Sequence, residues 1–164
     1  MTKAFGVLLV CSLCSGATLT VDLNGGADYT AIQPAIDAAA DGDTVLVKAG
    51  EYVVTEPINF NRLHNPDNPA GPPVKNIVVR SEGGAEVTTI RVAPPEGQSA
   101  SVASFTSGET HQSVLEGFEL TGGNDSGVIC SGCSPTLTNC TISGNVGRAG
   151  GGVWCGNASP TLTD

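Results

Sequence analysis

Gly127-Val128-Ile129-Cys130 and Ser134-Pro135-Thr136-Leu137-Thr138 are each written twice in this chain. They return as Gly152-Val153-Trp154-Cys155 and Ser159-Pro160-Thr161-Leu162-Thr163, both offset by 25 residues, so the two phrases belong to one repeating unit. A period in this range marks a stacked, solenoid-like architecture in which each repeat covers its neighbour. The phrases are short, β-prone and bounded by Gly, Ser, Pro or Asn, which predicts strands of a few residues joined by tight turns.

The rhythm extends upstream. Leu137-Thr138-Asn139-Cys140-Thr141-Ile142-Ser143-Gly144 aligns with Leu115-Glu116-Gly117-Phe118-Glu119-Leu120-Thr121-Gly122 and with Val74-Lys75-Asn76-Ile77-Val78-Val79-Arg80-Ser81. Asn and Gly tolerate positive φ, so Asn76, Gly117 and Asn139 predict a one-residue bend between two strands on every turn. Thr44-Val45-Leu46-Val47 fits the same register as the first strand. The resulting ladder stacks Val45, Ile77, Phe118 and Cys140 in one interior column and Val47, Val79, Leu120 and Ile142 in the next. Lys48, Arg80, Thr121 and Ser143 form an outward column, because side chains alternate along a strand. Coil lengths of 32, 41, 22 and 25 residues follow, with the excess placed in loops at Asn61–Pro73 and Ala93–Ser99.

A helix over about residues 31–40 precedes the first strand. Thr30 and Gln33 have capping-box spacing, with Tyr29 and Pro34 at the staple positions. Ile32, Ala35, Ile36, Ala39 and Ala40 share one face, and Asp41-Gly42 supplies the stop. So short a helix needs an apolar surface to lie on, and the open end of the stack is adjacent.

Composition bounds the rest. At 164 residues the chain has the length of one domain. Seven basic residues against 16 acidic ones give a net charge of −9, the opposite of a nucleic-acid footprint. No apolar run reaches the roughly 20 residues of a membrane-spanning helix. Residues 1–17 read as an export signal: Lys3, an apolar stretch from Ala4 to Leu13, then small residues with cleavage near Ala17. A buried first strand or helix is the competing reading. Export places the protein in the periplasm, at the cell surface or outside, and leaves Cys130, Cys133, Cys140 and Cys155 in a compartment that permits disulfides.

These residues bring a family into view. Val21–Phe60, with Asp28-Tyr29-Thr30-Ala31-Ile32-Gln33 and Gly42-Asp43-Thr44-Val45-Leu46-Val47-Lys48-Ala49-Gly50-Glu51-Tyr52, resembles the opening of right-handed parallel β-helix proteins of the pectin lyase-like superfamily. Val114–Asp164 is similar to the repeat of large exported bacterial β-helix proteins. The resemblance implies an all-β, right-handed parallel β-helix of about four coils from residue 44 onward, within a domain spanning residues 18–164 and headed by a capping helix. It is specific for fold rather than activity, since the superfamily includes lyases, esterases, hydrolases and proteins of other roles. The Gln-Asp-Thr and Leu-Gly-Arg-Pro-Trp segments of pectin methylesterases are absent, as are the clustered aspartates of polygalacturonases. No catalytic residue carries over.

The residues themselves offer candidates. Lys48, Arg80 and Glu119 would lie on adjacent outward rungs, a mixed-charge ladder that binds sugar hydroxyls or pairs across rungs. Asn124-Asp125, in a Gly-rich turn, offers oxygens to calcium or closes an Asx turn. Cys130-Ser131-Gly132-Cys133 is half of a zinc-knuckle spacing with no second half. Cys130 and Cys155 are equivalent positions one repeat apart, about 5 Å between Cα atoms in a parallel stack, so a disulfide and two stacked free thiols both fit. His64 and His111 fall in loops without partners at metal spacing.

The chain stops at Asp164 within a repeat and shows no capping segment there, so it reads as the N-terminal part of a longer protein with further coils of its own. Two functions follow as expectations. One is a non-catalytic scaffold of an exported or surface protein, with glycan binding or adhesion. The other is the start of a polysaccharide lyase, hydrolase or esterase whose active residues lie beyond Asp164.

Overall fold

The computed structural model describes residues 16–147 and 150–164. Residues 1–15 of the expected export signal lie outside the described residues. The chain enters with β1 (Thr18–Val21) and α1 (Ile32–Ala38), then makes four three-strand circuits. These are β2 (Thr44–Val47), β3 (Gly50–Val54) and β4 (Ile58–Asn59); then β5 (Val78–Ser81), β6 (Thr88–Val92) and β7 (Ala103–Phe105). The third and fourth are β8 (Val114–Glu116), β9 (Glu119–Thr121) and β10 (Val128–Ser131); then β11 (Thr136–Thr138), β12 (Thr141–Ile142) and β13 (Val153–Gly156). β14 (Thr161–Thr163) follows.

Three sheets result, and every recorded strand pair is parallel. The first runs β1-β2-β5-β8-β11-β14, the second β3-β6-β9-β12 and the third β4-β7-β10-β13. The all-β, parallel character expected from the repeat is present, with one short helix among the described residues. This arrangement is compatible with a parallel β-helix.

Interior columns follow from register. Leu19, Val45, Val79, Leu115, Leu137 and Leu162 line up across the first sheet. Tyr52, Ile90, Leu120 and Ile142 line up across the second. In the third, Phe105, Cys130 and Cys155 align, and Phe60 packs on Phe105 with ring centroids 4.8 Å apart. Val45, Val79, Leu115, Ile90, Leu120, Phe105 and Cys130 are fully buried. At the far end of the first column, Leu162 is 58% exposed.

The expected ladder needs a correction in its early coils. Val45 pairs with Val79 rather than Ile77, and Val79 with Leu115 rather than Leu120. The Leu120–Ile142 pairing is as expected. The aligned phrase at Asn76 therefore enters the first sheet, whereas those at Gly117 and Asn139 leave it for the second. Gly117 (φ 75°) and Asn139 (φ 51°) do take the left-handed bend, but Asn76 does not. Its side-chain oxygen instead accepts hydrogen bonds from the Thr110 N–H, the Thr110 hydroxyl and the Ser113 hydroxyl. An apolar-x-apolar pair has the same period on every sheet, so pattern alone leaves the sheet unassigned.

The helix is shorter than expected and is capped differently. Ala31 is the extended N-cap and makes no side-chain cap bond. Gln33, expected in a capping box, pairs with the backbone of edge strand β4: its Nε2 donates to the Asn59 carbonyl and its Oε1 accepts from the Asn59 N–H, each at 2.9 Å. At the other end, the Lys75 ammonium donates to the carbonyls of Ile36, Asp37 and Ala39. Three donors thus meet three carbonyl oxygens around the helix C-terminus. Ile32, Ala35 and Ile36 are buried, and α1 lies against β1, β2 and β4. The first strand of the sheet is β1, ahead of the helix, so α1 connects two neighbouring strands.

Candidate functional site

The second sheet carries a polar face ordered by side-chain hydrogen bonds. Tyr52, Ile90, Val92 and Leu120 turn inward and are buried. Strand alternation therefore turns Glu51, Val53, Thr89, Arg91, Glu119 and Thr121 outward. In register, Glu51, Thr89, Glu119 and Thr141 form one row, and Val53, Arg91 and Thr121 begin a second beside it.

Glu119 ties three rungs together. One carboxylate oxygen accepts from the Thr89 hydroxyl at 2.9 Å and the other from the Ser143 hydroxyl at 3.2 Å. Arg91 Nε donates to Glu51 Oε1 at 2.5 Å, with the two side chains 40% and 55% exposed. A pair so open to solvent contributes at most about 1 kcal/mol to stability. Its guanidinium retains donors for hydroxyls approaching from outside.

Lys48, Arg80 and Glu119, expected on adjacent outward rungs, are not brought together. Arg80 is exposed on the first sheet, in register between Leu46 and Glu116. Glu119 belongs to the second sheet. Lys48 lies in the connection between the two, 3.5 Å from Asp22. The Asn24 backbone N–H, with help from Lys48, holds the Asp22 carboxyl below the usual carboxylate range. Arg91 and Glu51, which the shifted ladder overlooked, are the charged residues that accompany Glu119. The signal for them was Glu51-Tyr52-Val53 against Thr89-Ile90-Arg91, two alternating triplets of equal phase.

The other candidates have local roles. Asn124 Oδ1 accepts the Ala100 N–H at 2.7 Å and its Nδ2 donates to the Gln98 carbonyl, so this side chain fastens the 93–99 connection. His64 Nδ1 lies 2.9 Å from the Pro72 carbonyl within its own loop. His111 is exposed, and its backbone carbonyl accepts the Thr136 hydroxyl. Among the described residues no group of three or more His, Cys, Asp or Glu is placed to hold a metal ion.

A cleft of about 290 Å³ opens between the end of α1 and the 61–73 loop, with Phe60, Leu63, Pro72 and Lys75 in its walls. Burial pushes the Lys75 ammonium below the usual lysine range. Burial also opposes ionisation of Asp37, but hydrogen bonds from Arg62 and Gln33 prevail and hold that carboxyl below its usual value. The polar groups around this cleft serve the helix end. Residues 65–70 of the adjoining loop are exposed, and Arg62 at its start donates to the Asp37 carboxylate.

Cys130 and Cys155 are register partners on β10 and β13, and both are free thiols. Cys130 and Cys133 are buried, Cys140 half-buried and Cys155 exposed. Burial raises the Cys130, Cys133 and Cys140 thiols above the ordinary cysteine range, which disfavours the thiolate.

Comparison with protein-family models, with curated proteins and with solved structures found no match.

Proposed function

We propose that this chain is a right-handed parallel β-helix of the pectin lyase-like type, serving as a non-catalytic scaffold of an exported or cell-surface protein. Its second sheet presents a glycan-binding face. The observation that carries the reading is the Glu119 bridge. The carboxylate is engaged by hydroxyls from both neighbouring rungs, which gives a rigid array of hydroxyl, carboxylate and guanidinium groups. A carboxylate held in this way presents ordered acceptors to a sugar but is poorly placed to move a proton. The unbroken order of first, second and third sheet over four circuits supports the helical winding. The resemblance of Val21–Phe60 and Val114–Asp164 to exported β-helix proteins supports the location.

With a net charge of −9, the surface repels polyuronates, so a neutral polysaccharide is the favoured ligand. Retention of the chain on insoluble neutral polysaccharide, compared with immobilised polygalacturonate, tests this. Arg91→Ala and Glu119→Ala should each weaken retention about fivefold, the value of one hydrogen bond of about 1 kcal/mol. Equal retention of both variants and the parent chain removes the second sheet from the binding surface. Release of new reducing ends, or absorbance of unsaturated uronides, would sink the non-catalytic reading.

A further inference from the structure

We infer that Cys130 and Cys155 form a redox couple that closes to a disulfide and fastens β13 to β10. The two residues are direct partners in a parallel pair. Parallel neighbours stand about 4.8 Å apart at Cα, inside the window of roughly 4.4–6.8 Å that a disulfide spans. Both lie in the inward column that begins at Phe105, so their side chains share one direction.

The other described thiols have carbonyl partners of their own, and Cys133, which also lies beside Cys130, is the competing partner. Cys133 Sγ donates to the Phe105 carbonyl at 3.0 Å. Cys140 Sγ donates to the Leu115 and Thr138 carbonyls at 3.4 and 3.3 Å. Cys155 is the exposed member of the set, because among the described residues no strand lies over β13 in its sheet. An oxidant therefore meets Cys155 first.

With a low-molecular-weight disulfide as oxidant, the exchange balances in two steps. The Cys155 thiolate attacks one sulfur, forming a mixed disulfide and releasing one thiolate. The Cys130 sulfur then attacks the Cys155 sulfur and forms the intramolecular bond. The second low-molecular-weight thiol leaves and takes up the Cys130 proton. Two protein thiols are oxidised and one disulfide is reduced to two thiols. The closure is independent of whether the second sheet binds a glycan.

Oxidised glutathione is the probe, applied to the full folded chain and to a control in denaturing urea. Trypsin cleavage after Arg91 and Arg148 places Cys130, Cys133 and Cys140 on one peptide and Cys155 on another, while Cys11 and Cys14 fall on a third. The expected result is loss of two thiols and a link between the first two peptides. Fragment ions that separate Cys130 from Cys133 should assign the link to Cys130. Because that assignment uses the unaltered chain, it does not depend on a variant folding. The link should persist in Cys133→Ser, vanish in Cys155→Ser, and slow amide exchange in β13 by at least about tenfold. A link at Cys133, a stable glutathione adduct at Cys155 without closure, or equal linkage in urea would each overturn the assignment.

Discussion

Asn139 and Asn157 hold positive φ (51° and 50°) without being glycine. They occupy the positions after β11 and β13 where the preceding circuit has Gly117 and Gly132, also at positive φ. Asparagine is the side chain that tolerates this region best after glycine, and alanine there costs roughly 1–2 kcal/mol. Asn139→Ala should therefore lower the unfolding free energy by about 1 kcal/mol in urea titration, while Asn139→Gly should stay within about 0.5 kcal/mol of the parent. Asn139 is exposed, so packing adds little to either value. Gly117→Ala should cost somewhat more than Asn139→Ala, because glycine adopts positive φ freely while asparagine only tolerates it; the added methyl meets Gly84 Cα and Ser81 Cβ at ordinary contact distances of 3.4 and 3.5 Å.

This scale also marks what could be read from sequence. Gly117 and Asn139 were legible as bends because their residue types have a backbone reason to recur. Asn76 shares the type and the flanking pattern, yet its role is to accept three hydrogen bonds from the turn at Thr110–Ser113. Nothing local separates the two uses. The partner that decides lies 34 residues downstream.

Among elements, α1 depends on distant groups at both ends. Gln33 joins it to β4, and Lys75 gathers the carbonyls at its C-terminus. Lys75→Met keeps most of the aliphatic stem and removes the donors, leaving those carbonyls to solvent in a partly covered site. The expected cost is about 1–3 kcal/mol in urea titration. Asp37 gives the same region an acid limit. Its folded pKa lies below the ordinary aspartate value of 3.8, so its contribution is present above that value and is lost as pH falls through the lower folded value. Asp22 and Asp28 shift in the same direction. Acid titration followed by CD should show unfolding below pH 3.8, and Asp37→Asn should make that limb shallower. The helix itself was legible from its apolar face, but its fastenings were not. Each is a contact between residues 26 or more positions apart. β1 escaped notice because Thr18-Leu19-Thr20-Val21 is four residues long and adjoins an apolar leader-like stretch.

On the scale of the whole molecule, the two ends of the stack differ. α1, Gln33 and Lys75 close the end at β1 and β4. At the other, Leu162 and Trp154 are 58% and 38% exposed on the edge strands β14 and β13. Hydrogen exchange should follow this gradient. Amides of β5 to β10, with partners on both sides, should exchange slowest, and those of β13 and β14 fastest among the strands. Uniform protection from β5 to β14 would mean that the circuits open as one unit. The number of sheets could not be read from the repeat, because a period fixes where the chain returns and leaves open how many corners it turns on the way.

The column from Val45 through Val79, Leu115 and Leu137 to Leu162 advances by 34, 36, 22 and 25 residues. Each advance moves one strand spacing, about 4.8 Å. Contour length and axial travel are therefore uncoupled: the molecule works as an odometer that counts turns and ignores how long each one took. A foreign peptide of ten or so residues grafted between Asp67 and Gly71 should leave the height of every later rung unchanged. The two outer rows of the second sheet would then keep their pitch however much cargo the loops carry.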